Sequence, residues 1–246
     1  MSAQATVLVT GAGRGIGRAV ALELASNSFD LVLWSRSEAP LLEVVAQART
    51  FGVSVSYAVL DVGDADAVEA AAREVKGALA GMVLNAGHGV WTSLEVLAHE
   101  EWRHTLRTNL DGVFHVLRAC MPILRRRSGA LLAAVLSDSA LYPFAQRGAY
   151  AASKAGARAL LEVARRELRA SGSRVTLIYP SRVDTGFQGA HRDAQPGTRK
   201  GALDAGDVGR IIAALYTWPQ SVEIRELHLS AMTSTFGPFQ EIMEQT

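Results

Sequence analysis

One cysteine, Cys120, occurs in 246 residues, so no internal disulfide can staple the fold. Its context, VLRACMPIL, reads as a buried helix face and fits a reducing compartment. No apolar run approaches the roughly 20 residues that a membrane-spanning helix needs. The opening MSAQATVLVTGAG has no basic segment before its apolar run and does not read as a secretory leader. A cytoplasmic protein with no membrane partner is therefore expected. Neither sign of charge is in excess: 25 Lys and Arg against 24 Asp and Glu give a net charge of +1, which removes the basic field that nucleic acid would require. The six histidines are scattered without ligand spacing, so no metal site is expected.

What is present is the composition of a globular enzyme, 49% hydrophobic and 20% charged. Short apolar runs at 5–10, 31–34, 53–60, 81–85, 130–137, 174–180 and 224–230 read as strands buried on both faces. Amphipathic stretches at about 15–27, 39–51, 64–79, 98–127, 148–171 and 206–217 lie between them. That alternation predicts an α/β fold: one doubly wound Rossmann domain over 1–246, its mostly parallel seven-stranded sheet flanked by helices on both faces. Residues up to about 125 form its cofactor-binding half and 126–246 its catalytic and substrate half. A polar, glycine-rich piece at about 181–207 reads as a lid, a binding loop or an ordinary mobile loop, with a substrate loop expected at about 186–206.

The first strand runs into TGAGRGIG, with Gly11, Gly15 and Gly17 between strand and helix. Glycines there let the backbone approach a pyrophosphate, which the free N–H groups and dipole of the helix N-terminus favour. About 20 residues on, where an acid would hold a free ribose 2′-hydroxyl, stand Ser35 and Arg36. With Arg14 in the glycine turn they suit a 2′-phosphate, so NADP(H) is expected over NAD(H). Glu38 is the nearby acid able to neutralise Arg36.

Tyr150 and Lys154 stand four apart in RGAYAASKAG, on one helix face. A free phenol, with a pKa near 10, is a poor acid or base at neutral pH, and a neighbouring ammonium is expected to lower that value. The preceding strand ends in LSDSA, which offers Ser137 and, one register on, Ser139 at the sheet edge where ligands of open α/β folds bind.

TGAGRGIG at 10–17, DV at 61–62, NAG at 85–87, Asn109, Ser137, YAASK at 150–154 and PSRVDT at 180–185 together resemble the short-chain dehydrogenase/reductase family, from about residue 5 to 230. The resemblance implies that Tyr150 exchanges a proton with the substrate oxygen, that Ser137 hydrogen-bonds the same oxygen, that Lys154 holds the nicotinamide ribose, and that Asn109 anchors a water relaying protons to the lysine. It further implies cofactor contacts from Ile16, Asp61, Val62, Asn85, Ala86, Gly87, Pro180, Val183 and Thr185. Ser181 departs from the family's glycine and puts the nicotinamide turn in question.

His88, Trp91, Leu141, Tyr142 and Phe144 are candidates either to line the substrate pocket or to pack beneath it, with Ser139 beside them. In the loop, His191, Arg192, Arg199 and Lys200 offer charge to an acidic group or to solvent. Relatives pair through the helices at 98–127 and 148–171, so a homodimer or homotetramer is expected; the stripe Val113, Val116, Leu117 and Cys120 suits either pairing or core. The favoured activity is NADPH-dependent reduction of a ketone or aldehyde, 3-oxoacyl compounds included. The alternatives are oxidation of a secondary alcohol, hydroxy acid or sugar, and a non-catalytic nucleotide sensor.

Overall fold

The computed structural model describes residues 5–187 and 200–233. Seven strands form one sheet: β1 Thr6–Thr10, β2 Asp30–Ser35, β3 Val55–Val59, β4 Leu79–Leu84, β5 Leu131–Val135, β6 Arg174–Pro180 and, after two short strands β7 Val183–Asp184 and β8 Leu203–Asp204, β9 Glu226–Leu229. Their order is β3-β2-β1-β4-β5-β6-β9, and every pairing is parallel. β7 and β8 pair separately.

The helices are α1 Gly15–Ser26, α2 Glu38–Arg49, α3 Ala65–Arg73, α4 His99–Leu106, α5 Gly112–Leu124, α6 Gly148–Leu168 and α7 Ala205–Ala214. The two-residue period of the strands divides them between two cores. Leu8 of β1 faces one core with Val68 of α3, Val116 and Cys120 of α5 and Leu161 of α6. Val7 and Val9 face the other with Val20 of α1, Leu41 of α2 and Ile212 of α7. Gly209 lets α7 settle on α1, since a Cβ there would sit 2.8 Å from that of Ala19.

Several expectations need correction. β3 is an edge strand whose Ser56, Tyr57 and Val59 are exposed, and β9 on the other edge is only partly covered, so neither is buried on both faces. The helix expected at 64–79 stops at Arg73, because Gly77 takes a left-handed φ of +77° and β4 starts at Leu79. The expected 98–127 helix is two helices joined by a π turn at 107–111, a device that re-aims side chains within a helical run. Val116, Leu117 and Cys120 are core and Val113 packs on them, so that stripe is not a docking face.

The order of the sheet reverses between β1 and β4, which opens a crevice at their carboxyl ends. Every motif residue named above comes from a segment at or near that edge.

Candidate active site

A cleft of about 820 Å³ runs along this edge. At one end it is lined by Arg14, Gly15, Ile16, Ser35 and Arg36, and in the middle by Asp61, Val62, Asn85, Ala86 and Gly87. Ser137, Tyr150, Lys154, Pro180, Val183 and Thr185 line the other end.

The glycine turn is shaped for close approach. Gly11 has φ +65°, and a Cβ on it would sit 2.9 Å from the Ala86 backbone. Gly15 has φ +54° and faces Thr185, whose Cβ would be 3.0 Å away. Gly17 lies beneath the cleft, since a Cβ there would fall 2.2 Å from the Gly11 carbonyl oxygen. Asn85 ties the turn to β4: its Nδ2 donates to the carbonyls of Thr10 (3.1 Å) and Gly11 (3.2 Å). The N-cap position of α1, Arg14, supplies no side-chain cap and the first turn holds no acid, so the helix N-terminus is open to an anion. Among the described residues Arg14 and Arg36 enter no ion pair, and Glu38 does not neutralise Arg36. Asp61 is held in place by Gly63 N–H (2.9 Å) and by Arg107 (3.2 Å).

α6 carries Tyr150 and Lys154 on its buried face, one turn apart, at 8% and 5% exposure. Lys154 Nζ donates to the Val135 carbonyl at 3.0 Å and stands 5.8 Å from the Tyr150 ring centre. Burial pulls its pKa down to about 8. The phenol goes the other way from expectation: burial pushes Tyr150 up to about 12, with Ser137, in hydrogen-bonding contact, pulling it back, Asp138 raising it and Arg147 lowering it. Desolvation outweighs any help from the ammonium because phenolate is the form that loses water.

Asn109 sits behind the cleft at 1% exposure. Its Oδ1 accepts from His88 N–H (2.7 Å), and its Nδ2 donates to the His88 carbonyl (2.7 Å) and to Ser153 Oγ (2.9 Å). The side chain thus ties α6 to the 85–88 wall. Ser181 does not distort its turn: its φ is outside the left-handed region, its N–H donates to the Leu229 carbonyl at 2.8 Å, and it lines the cleft.

Around Tyr150, His88 and Trp91 line the cleft, as do Asp138, Gln146, Arg147 and Phe187. Tyr142 does not; it is 46% exposed, on the outer side of its turn. Ser139 is 1% exposed and lies below the wall, accepting from Arg147 (3.3 Å), so it is no substitute for Ser137. Leu141 packs against the core, and Phe144 lies under Arg147, whose guanidinium is 4.9 Å from its ring centre. His88 is engaged with Glu101 (3.3 Å) and His104, and burial lowers its pKa. His191, Arg192 and Arg199 fall outside the described residues. Of the wall residues that escaped the sequence reading, Asp138 and Arg147 are the charged ones that act on Tyr150. Asp138 stood unweighed between the two serines, and Arg147 is the residue just before α6, three positions ahead of Tyr150.

The chain matches the short chain dehydrogenase family over residues 5–196. It belongs to that family. It is 38% identical over 190 residues to a 3-oxoacyl-[acyl-carrier-protein] reductase, FabG, of Aggregatibacter actinomycetemcomitans, covering 73% of this chain and 76% of that one. It is 30% identical over 233 residues to a sepiapterin reductase of Chlorobaculum tepidum, 91% and 94% covered. Among solved structures, an alcohol dehydrogenase from the archaeon Thermococcus sibiricus, complexed with 5-hydroxy-NADP, superposes with a TM-score of 0.88 at 32% identity over 94% of this chain and 98% of that one. As a member of this family the chain is an NAD(P)-dependent oxidoreductase. Among the described residues no helix is long and apolar enough to cross a membrane.

Proposed function

We propose that the protein is an NADPH-dependent reductase of ketones or aldehydes, 3-oxoacyl compounds included. The observation that carries the cofactor preference is the pair Arg14 and Arg36, lining the cleft with Ser35 and with no carboxylate paired to either among the described residues. Guanidiniums in that position favour a 2′-phosphate by charge-assisted hydrogen bonds, where an acid would favour a free hydroxyl.

The residues fit the dinucleotide: the cleft is long, glycines clear its floor, and the open N-terminus of α1 meets the diphosphate position. Arg14 and Arg36 would hold the 2′-phosphate, Gly15 and Ile16 the diphosphate, Asp61 and Val62 the adenine, Asn85 to Gly87 the adenosine ribose, Lys154 the second ribose, and Val183 and Thr185 the carboxamide end. When bound, the cofactor supplies the hydride.

The protein's own part is the proton. A phenol pushed up to about 12 stays protonated at neutral pH, which suits Tyr150 as donor to a carbonyl oxygen and makes it a poor base for the reverse reaction. Lys154 favours the phenolate left behind, and Ser137 steadies the oxygen as charge develops on it. Asn109 fixes the wall from which Gly87 faces Lys154.

The test is a titration of tryptophan fluorescence with NADPH and NADH side by side, followed by a panel of ketones and aldehydes. Tighter NADPH binding, weakened in Arg36→Glu, with turnover that Tyr150→Phe abolishes while still binding cofactor, is the expected outcome. NADH preference, or full activity of Tyr150→Phe, refutes the reading.

A further inference from the structure

Beside Tyr150 the cleft wall holds a carboxylate that the reaction above leaves unused. Asp138 follows Ser137 at the start of a 3-10 turn, Asp138–Ala140, and lines the cleft. Ser137 Oγ donates to Asp138 Oδ1 at 2.9 Å, and Ser139 Oγ donates to the same oxygen at 3.4 Å. Both bonds fall on Oδ1; Oδ2 has no hydrogen-bond partner among the described residues. Ser137 Oγ in turn accepts the Ser139 N–H at 3.2 Å.

A hydroxyl has one proton. While Ser137 gives it to Asp138, none is left for a substrate oxygen, and the bond to an ionised acceptor is the stronger kind. A plain carbonyl therefore competes poorly for Ser137. A substrate carrying its own O–H or N–H beside the carbonyl can satisfy the carboxylate in place of Ser137 and free that proton for the carbonyl oxygen. The turn does not depend on the carboxylate: Leu141 and Tyr142 N–H donate to the backbone oxygen of Asp138, not to its side chain. The other charged groups facing Tyr150 are Arg147, from the N-terminus of α6, and Lys154. Trp91 and Phe187 close the space around the phenol, with ring centres 5.0 and 6.0 Å from that of Tyr150.

We infer that Asp138 is a specificity-determining residue, and that the substrates this site favours are carbonyl compounds bearing a hydrogen-bond donor next to the carbonyl, such as hydroxyketones or keto-amides with an adjacent N–H. The inference rests on the proposed reductase reading.

The experiment compares kcat/KM for 2-hydroxyacetophenone and acetophenone in wild type, Asp138→Ala, Ser137→Ala and the double variant, all with NADPH. Wild type is expected to prefer the hydroxyketone, and Asp138→Ala to cut that preference about tenfold, the scale of one hydrogen bond to a charged group. In the Ser137→Ala background, where no competing proton remains, Asp138→Ala should no longer raise activity on acetophenone. An unchanged ratio in Asp138→Ala, or the same gain on acetophenone in both backgrounds, overturns the inference. If wild type reduces neither ketone, the reductase reading fails first, and a second measurement decides separately on the Ser137–Asp138 link. Tyrosinate absorbance after an alkaline pH jump, taken as the difference from Tyr150→Phe, should show Tyr150 ionising at lower pH in Asp138→Ala and by less when Ser137 is also absent. An unshifted midpoint, or an equal shift in both backgrounds, overturns that link.

Discussion

Replacing Lys154 by Met should abolish turnover and, at neutral pH, make the cofactor-free protein more stable. The ammonium is 5% exposed, and burial draws its pKa from 10.5 to about 8. A depressed lysine pKa means that the charged form is worse off folded than unfolded. Below pH 8 both states are protonated and the whole penalty is present, about 3 kcal/mol at roughly 1.36 kcal/mol per unit. Between pH 8 and 10.5 the unfolded state binds more protons, so wild-type stability rises with pH and the penalty is gone above that window. Met fills the lysine's volume without its charge but leaves the Val135 carbonyl without its 3.0 Å donor, a loss of about 1 kcal/mol. The net expectation is a gain of about 2 kcal/mol at pH 7, turning into a small loss by pH 10.5 where only the missing hydrogen bond counts. Urea unfolding at a series of pH values, with identical buffers for both proteins, reads the difference directly. A variant that is less stable at pH 7, or a difference that does not change between pH 7 and 10.5, would refute the desolvation argument.

Three further outcomes follow from the geometry. Asn109→Ala leaves both backbone groups of His88 without a partner and should cost about 2–4 kcal/mol in urea unfolding, with cofactor affinity falling as the 85–88 wall loosens; a change under about 0.5 kcal/mol would mean the wall holds itself. Gly17→Ala drives a methyl to within 2.2 Å of the Gly11 carbonyl oxygen, so NADPH titration should show binding lost, with a stability cost of about 1–3 kcal/mol from overpacking. Tyr142→Ala, outside the cleft and 46% exposed, should leave kcat/KM within about twofold across the carbonyl panel, in line with small surface effects; a larger drop would place this side chain over the substrate.

Where a sequence signal is local and backbone-driven, it survives folding. Gly11, Gly15 and the Tyr150–Lys154 pair stand where the motif spacing puts them, because a turn needing positive φ and a helix repeat are both properties of a few adjacent residues. The seven strands are legible for the same reason, each being a short apolar run between breakers. Burial on both faces was not legible for β3, because nothing in its alternating apolar run says that no strand will lie beyond it. The direction of the Tyr150 shift was missed on similar grounds. Adjacency to a lysine is written in the sequence, while the depth at which both groups lie is set by β5, α6 and the 85–91 wall together. Asp138 and Arg147 gain meaning only once the turn and the start of α6 are brought to the same wall.

Several costs in this fold lie along the cleft, while Thr105 Oγ1, Arg174 Nε and Ser28, at φ +65°, lie elsewhere. Trp91 Nε1, Thr108 Oγ1 and Ser181 Oγ are buried without a hydrogen-bond partner among the described residues, and all three belong to residues that line it. Gln146, a non-glycine residue at φ +65°, lies in the same wall, where its carbonyl accepts from Thr92 N–H at 2.8 Å. The helix N-terminus at Gly15 lacks a side-chain cap, as do those of α2, α4, α5 and α6, whereas Asp64 and Asp204 cap α3 and α7. Each feature is destabilising by itself, on the order of 1–3 kcal/mol for an unpartnered buried polar group or a strained residue. A core under selection for stability alone would satisfy them. A ligand with phosphates and polar ring edges can satisfy several on binding, so stability withheld from the free protein reappears as cofactor affinity. The rise in unfolding midpoint with saturating NADPH should therefore shrink when one of these costs is removed in advance, as in Thr108→Val, which replaces the unpartnered buried hydroxyl by a methyl.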